Sequence, residues 1–200
     1  FIPDKVLLAK RLAQCLTASL PSGVHLKALE TFHIVFGRIG KARLAKDLVI
    51  YSAGLFPLYS YAATSLKGAL LSLYETHYVP LGRALRPISD GLVLALLPGI
   101  EDESSEFYEQ TRNLLNSIQT AVASDTVFHA SLWRALLLAP SVRLAAATFL
   151  RSKIAALPSD KPYAAVLEDG ALVTRALAAG LNDSQVLVQR AALELLLAHF

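Results

Sequence analysis

Several residue types and patterns are scarce in this sequence, and each scarcity excludes something. There is no methionine, so Phe1 is not expected to be a translation start, and the chain is predicted to be a fragment or a processed product. The single cysteine, Cys15, excludes an internal disulfide and suits a reducing, cytosolic setting. The best apolar run, Leu92 to Leu97, is ended by Pro98-Gly99 and is far shorter than the roughly 18 residues of a membrane-spanning helix.

Charge is sparse and unevenly distributed. Charged residues make up 18% of the chain, with 11 Lys and Arg against 5 Asp and Glu in residues 1–100, and 8 against 11 in residues 101–200. The acidic share is concentrated in EDESSEFYE, residues 101–109. A net charge of +3 is far below the density of a nucleic-acid-binding protein, so no nucleic acid is predicted as a partner.

The abundant residues favour helices. Leucine and alanine dominate, and the hydrophobic share of 54% excludes a disordered chain. Proline and glycine interrupt the chain at intervals, and the segments between them carry apolar residues at helical spacing. We therefore predict an all-α fold of about ten helices joined by short turns, in a single domain that spans residues 1–200.

A faint internal repeat refines this prediction. LLAPSVRLAAATFL (137–150) and LNDSQVLVQRAALELL (181–196) share a frame whose valines, Val142 and Val188, are 46 residues apart. HEAT and armadillo repeats have periods of about 40–47 residues. The valine, and the alanine that follows it by four residues, are predicted to face the helical stack, and the proline or aspartate to lie in the turn. Residues 21–32 carry a third copy with Val24 in the inward position, and the pattern predicts a HEAT/armadillo-like α-solenoid.

Long colinear segments resemble the N-terminal domain of the Dopey family. They are KRLAQCLTASLPSGVHLKALETF (10–32), LAKDLVIYSAGLFPLYSYAA (44–63), LYETHYVPLGRAL (73–85), GLVLALLPGI (91–100) and LNDSQVLVQRAALELLL (181–197). They cover most of the chain in one order. The resemblance implies a large cytosolic protein, peripheral to Golgi and endosomal membranes, that acts in endosome-to-Golgi vesicle traffic.

The resemblance also implies the partners. They are a Mon-two-type scaffold protein related to Arf exchange factors, a lipid flippase, a kinesin adaptor and membranes that bear phosphoinositides. No catalytic residues are known in the family, and the sequence has no nucleophile elbow, Walker loop or dinucleotide-binding glycine motif. We therefore predict a non-enzymatic scaffold or adaptor domain that needs no cofactor.

The principal candidate site is a basic cluster of Arg38, Lys41, Arg43 and Lys46. Four cations within nine residues are suited to anionic lipid head groups or to an acidic protein partner. The alternative is a solvated helix end, where basic residues are favoured by the helix dipole. Arg83 and Arg86 form a second, weaker basic candidate.

The histidines do not have the spacing of a metal site. His25 and His33 differ by about 80° around a helix, whereas metal-binding pairs on a helix are four residues apart. These two, with the isolated His77, His129 and His199, are predicted to lie on helix surfaces or in turns, and no metal is predicted. The GRIG segment, residues 37–40, matches the glycine loop of KH domains, but a glycine helix cap explains it better because helical patterns flank it.

Two further features leave alternatives open. EDESSEFYE is suited to acidic recognition, but a solvated loop between helices is the preferred interpretation. Five tyrosines lie within 28 residues, at positions 51, 59, 61, 74 and 78. They pack between helices, or they form an exposed protein-binding patch, and the sequence does not separate these alternatives.

Overall fold

A computed structural model describes residues 4–156 and 169–197, and the regular structure in these ranges is entirely helical. No β-strand occurs within them, so the predicted all-α class is confirmed. The described residues form two compact units, divided between Ala123 and Ser124. The predicted single domain over residues 1–200 stays a prediction.

The first unit is built from α-helices joined by short helical turns. Its α-helices are α1 (Lys5–Gln14), α2 (Ser22–Ile39), α3 (Lys41–Leu55), α4 (Thr64–Leu73), α5 (Ser89–Leu96) and α6 (Tyr108–Val122). The turns are 3₁₀ helices at Leu58–Ser60, Val79–Ile88 and Leu97–Ile100 and a π-helical turn at Tyr74–Tyr78. α1 packs against α3, and α2 packs against both α3 and α4. α6 packs against the 3₁₀ segment that follows the π turn.

The junction between α2 and α3 is made by a glycine. Gly40 has a φ of +73°, a conformation that glycine adopts without steric cost. Its N–H donates a hydrogen bond to the carbonyl of Phe36 at 3.1 Å, which satisfies one of the last carbonyls of α2. The predicted glycine cap at the end of the GRIG segment is therefore confirmed.

Aromatic side chains form the core of the first unit. The Phe36 ring lies 5.4 Å from the Tyr51 ring and 6.0 Å from the Tyr78 ring, measured between centroids. Tyr74 lies 5.0 Å from Tyr78 in an edge-to-face arrangement, which suits the aromatic quadrupoles. The buried tyrosines are those at 51, 59, 74 and 78. For these four, packing between helices is the correct alternative; only Tyr61 is exposed.

In its described residues, the second unit contains two helical pairs. Its α-helices are α7 (Asp125–Leu138), α8 (Arg143–Ala155), α9 (Gly170–Leu181) and α10 (Val186–Leu197). α7 packs against α8 and α9 against α10. In addition, α7 packs against α9 and α8 against α10, so the equivalent helices of the two pairs lie next to one another. α9 and α10 approach closely at Gly180. A Cβ atom added there would lie only 2.8 Å from the Cβ of Ala192.

A buried ion pair ties these two helical pairs together. The Arg143 guanidinium donates to the carbonyls of Leu136 and Leu137, at 2.9 and 3.1 Å, and to the Asp183 carboxylate at 2.7 Å. The other carboxylate oxygen of Asp183 accepts from the Gln185 N–H at 2.8 Å, next to the start of α10. Hydrogen bonding to Arg143 lowers the pKa of the Asp183 carboxyl. Arg143 therefore satisfies the free carbonyls at the end of α7 and holds the α9–α10 turn.

The repeat frame is correct in the second unit, and in the first it is wrong at one of its two inward positions. The inward residues of both copies are buried, namely Val142, Ala146, Val188 and Ala192. Val24, predicted to be inward in the third copy, is 37% exposed, and His25 is buried instead. Ala28, the other residue of this copy that was predicted to face inward, is buried, so the error lies in the first turn of α2.

Within the described ranges, no single helix has the length and apolar character needed to cross a membrane. One pair, Asp125–Leu138 with Pro140–Ala155, meets these criteria only when its two helices are taken together, and it is bent by 114°.

Candidate functional site

The basic cluster lies at the α2–α3 junction. Arg38 is in the last turn of α2, and Lys41, Arg43 and Lys46 are on the first half of α3. All four side chains are exposed, and none makes an ion pair or a hydrogen bond with another residue in the described part of the chain. Helical geometry places Arg43 and Lys46 about 60° apart and Lys41 at least 140° from both. The fold brings the cations to one junction without aligning them on one face of α3.

The second basic candidate separates into two different roles. The Arg86 side chain donates to the carbonyls of Val122 and Ala123, at 3.0 and 2.7 Å. These carbonyls are at the end of α6, where backbone acceptors lack partners within the helix. Arg86 is therefore a helix cap and is not free to bind a ligand, whereas Arg83 is exposed.

Two histidines predicted to lie at the surface are buried. His25 donates from Nε2 to the carbonyl of Thr17 at 2.9 Å, and its ring packs edge-on against Tyr61. His129 lies on the inward side of α7, where burial lowers its pKa. The surface prediction was wrong for both, because each ring lies on the side of its helix that faces the core.

Two other histidines meet across the fold, and His199 lies outside the described residues. Nδ1 of His33 and Nε2 of His77 are 3.0 Å apart, so one ring donates a hydrogen bond to the other. His33 is on α2, and His77 is in the π-helical turn, 44 residues later. Burial and the neighbouring His33 lower the pKa of His77. Among residues 4–156 and 169–197, no group of three or more His, Cys, Asp and Glu side chains is placed to hold a metal ion.

An open apolar groove runs between α2 and α4, beside this histidine pair. Its volume is about 450 Å³. The α2 side is formed by Leu26, Leu29, Glu30, His33 and Ile34, and the other side by Ala69, Ser72, Leu73 and Thr76. Leu29 and Leu73 are buried in its floor, whereas Leu26 and Ile34 remain exposed at its edge. We call this feature the α2–α4 groove.

The edge of the α2–α4 groove carries one carboxylate. Glu30 accepts a hydrogen bond from Lys27 at 2.7 Å, and both side chains are largely exposed. An exposed pair of this kind is weak, because water screens it and ordering the side chains costs entropy. Glu30 can therefore exchange Lys27 for a cation of a bound partner.

The acidic segment forms a loop before α6. Asp102 accepts hydrogen bonds from the hydroxyl and the N–H of Ser104, at 2.6 and 2.9 Å, which lower the pKa of its carboxyl. Phe107 is only partly exposed, because its ring lies against Gly68 of α4. The preferred interpretation as a solvated loop between helices agrees with this geometry.

These features define the class of protein: an all-α chain in which an open groove and a basic helix junction are the candidate sites. The sequence profile described as "Dopey, N-terminal" matches residues 1–200. The chain therefore belongs to the Dopey family, and the resemblance stated from its segments is confirmed.

Relatives in distant organisms support this membership. Protein DOP1B of Xenopus laevis is 48% identical over 200 residues, and Protein DOP1B of Mus musculus is 46% identical over the same length. Protein DOP1 of Saccharomyces cerevisiae is 33% identical over 158 residues, which cover 78% of this chain. The chain spans 9% of the length of each of these relatives. No solved structure matches it.

Sequence reasoning missed the groove and the histidine pair. His33 was considered with His25 on the same helix, but its true neighbour is on a different element. The one available signal was the exposed apolar pair Leu26 and Ile34, which lie outside the inward column of α2. Two apolar residues off the inward face are typical of an interaction surface.

Proposed function

We propose that this chain is a non-enzymatic scaffold or adaptor domain that acts by protein–protein recognition in endosome-to-Golgi vesicle traffic. The observation that carries the proposal is the α2–α4 groove, an open apolar cleft between two helices with Leu26 and Ile34 exposed at its edge. Membership of the Dopey family supports the cellular role.

The proposed occupant of the groove is an amphipathic helix of the partner protein. Leu26 and Ile34 are two turns apart on α2, about 12 Å, which matches the spacing of apolar anchors along a helix that lies in a groove. The floor accepts leucine-sized side chains, and the exposed Glu30 supplies a counter-ion. The partner helix therefore has apolar residues at i, i+3 or i+4, and i+7, with a Lys or Arg at its edge.

The fold that presents this surface is proposed to be a HEAT/armadillo-like solenoid. The supporting observation is the second unit, in which each helix of the pair α7–α8 packs against the equivalent helix of the pair α9–α10. Arg143, which follows Val142 of the repeat, and Asp183, the aspartate predicted to lie in the turn, form an ion pair that links the two helical pairs. Stacked pairs of this kind form extended binding surfaces.

The proposed partner for the groove is the Mon-two-type scaffold protein related to Arf exchange factors. A lipid flippase and a kinesin adaptor are further proposed partners, and the proposed location is the cytoplasmic side of Golgi and endosomal membranes. All of these are supported by family membership alone.

The test is a binding measurement with a matched pair of variants. Ile34→Asp places a carboxylate at the groove edge, and Val49→Asp makes the same change on α3, outside the groove. Both side chains are largely exposed, at 52% and 61%, so both variants are expected to fold. Ile34→Asp should weaken binding of the purified Mon-two-type partner, and Val49→Asp should not. Equal affinity of the two variants would refute the groove as the docking site.

A second candidate function is recognition of anionic membranes through the basic cluster. The specific observation is that Arg38, Lys41, Arg43 and Lys46 are exposed and unpaired with other described residues. Each cation close to an anionic surface contributes up to about 1 kcal/mol at low salt. This interaction weakens as salt shortens the screening length.

Liposome co-sedimentation distinguishes this candidate from the first. Vesicles with and without phosphatidylinositol 4-phosphate are compared at low and physiological salt. Arg43→Glu with Lys46→Glu changes the cluster, and Lys10→Glu with Arg83→Glu makes an equal change of charge elsewhere on the exposed surface. Membrane recognition predicts loss of binding in the first double variant only. An equal loss in both would indicate a response to net charge, and the cluster would not be a membrane site.

A further inference from the structure

The last described helix, α10, is apolar on two opposite faces. Its inward residues Val188, Ala191, Ala192 and Leu195 are buried. On the opposite side, Val186, Leu193 and Leu197 are 74%, 47% and 70% exposed. Helical geometry places these three within about 40° of one another and about 140–180° from Val188. We call them the outer stripe of α10; a helix on the surface of a globular protein is normally polar there.

One equivalent position on α8, that of Leu193, shows what an outward apolar residue does in such a stack. The frame that aligns Val142 with Val188 also aligns Ala147 with Leu193. Ala147 is fully buried, and α8 packs against α10. Leu193 is exposed. In the described part of the chain, α10 covers α8, but no further helix covers α10 in the same way. Leu193, in the middle of the outer stripe, thus has the position of a contact between stacked pairs, but no described helix packs on it there.

We propose that the outer stripe of α10 is the docking surface for a further helical hairpin of the same polypeptide, which packs on α9–α10 as α9–α10 packs on α7–α8. The relatives have ample chain for such a hairpin, because these 200 residues span only 9% of the Xenopus protein. The exposed side of α9 fits this arrangement, since Ala171 and Ala178 allow close approach of a neighbouring helix.

This inference rests on the solenoid part of the proposed function, but it concerns a different surface from the α2–α4 groove. The groove is in the first unit, and its binding test uses Ile34 and Val49. A negative result in the groove test therefore does not affect the proposal for the outer stripe, and a negative result for the outer stripe does not affect the groove.

The experiment measures thiol labelling of Leu193→Cys in the full-length polypeptide and in the 200-residue chain, with the labelled peptide quantified by mass spectrometry. We expect labelling of this cysteine to be at least about ten-fold slower in the full-length polypeptide, because a hairpin would cover it. Val49→Cys, on α3, is the exposed control and should react at the same rate in both. Leu193 is already exposed in the 200-residue chain, so its replacement should not impair folding.

Two results would overturn the proposal. Equally fast labelling in both polypeptides would mean that nothing covers the outer stripe. Equally slow labelling in both, with a rate that rises on dilution, would mean that a second copy of the chain covers it. A third variant, Leu193→Ser, should lower the melting temperature of the full-length polypeptide but not that of the 200-residue chain.

Discussion

Val188 tests the stacking of the helical pairs most directly. Its side chain is 1% exposed and lies on the inward face of α10, next to the close approach of α9 and α10. Val188→Asp replaces this apolar contact with a carboxyl in the core. We expect the α9–α10 pair to lose its packing against α7–α8.

The magnitude follows from two contributions. Removing a buried valine costs about 1.5 kcal/mol or more. A buried carboxyl without a partner must take up a proton, and at pH 7, about three pH units above the pKa of a free aspartic acid, this costs about 4 kcal/mol. The combined loss of at least about 5 kcal/mol is comparable with the whole stability of a small unit, about 5–15 kcal/mol.

The assay is urea unfolding of the 200-residue chain followed by circular dichroism, with Val186→Asp as the control. Val186 is on the same helix but 74% exposed, so the control should unfold like the parent. The penalty should also depend on pH: below the pKa of a free aspartate both states are protonated, and the carboxyl contribution disappears as the pH falls from 7 to about 4. If Val188→Asp unfolds at the same urea concentration as Val186→Asp, the inward assignment of α10 is wrong.

Three further predictions concern other parts of the fold. Gly180→Ala should destabilise the protein by about 1–3 kcal/mol through overpacking against α10, whereas Gly37→Ala, in the exposed last turn of α2, should stabilise it by up to about 1 kcal/mol, as measured by thermal unfolding. Arg86→Ala should cost about 1 kcal/mol in chemical denaturation because the end of α6 loses its cap, and Arg83→Ala should cost nothing measurable. Burial raises the pKa of Tyr78, so the folded state keeps a proton that the unfolded state releases above about pH 10. Stability should therefore fall as the pH rises above that value, and tyrosinate absorbance should rise together with loss of helix; tyrosinate formation at Tyr78 in the intact fold would contradict its burial.

Predictions that depended on local pattern succeeded. The cap at Gly40 was predicted from a glycine that follows an amphipathic segment. This succeeded because the conformation of a cap glycine depends on its own backbone and on the helical turn before it. The repeat frame placed Val142 and Val188 in the core, because helical periodicity determines which residues share a face. In the third copy of the repeat, Val24 was predicted to face inward but is exposed. The next residue, His25, is buried instead.

The candidate sites depended less on pattern. The basic cluster was visible because its four cations are close in sequence, but their distribution around α3 follows from where the helix begins. The α2–α4 groove was not predicted, because its two sides are contributed by segments about 40 residues apart.

The sequence by itself determined the family, the helical class and the inward face of the second helical pair, since each depends on residues that are near one another along the chain. Only the tertiary structure decided that His33 meets His77 and that Arg86 caps α6. It also decided that Leu26 and Ile34 border a groove. Such contacts join residues tens of positions apart, and the packing of whole helices, rather than local periodicity, determines which side chains meet.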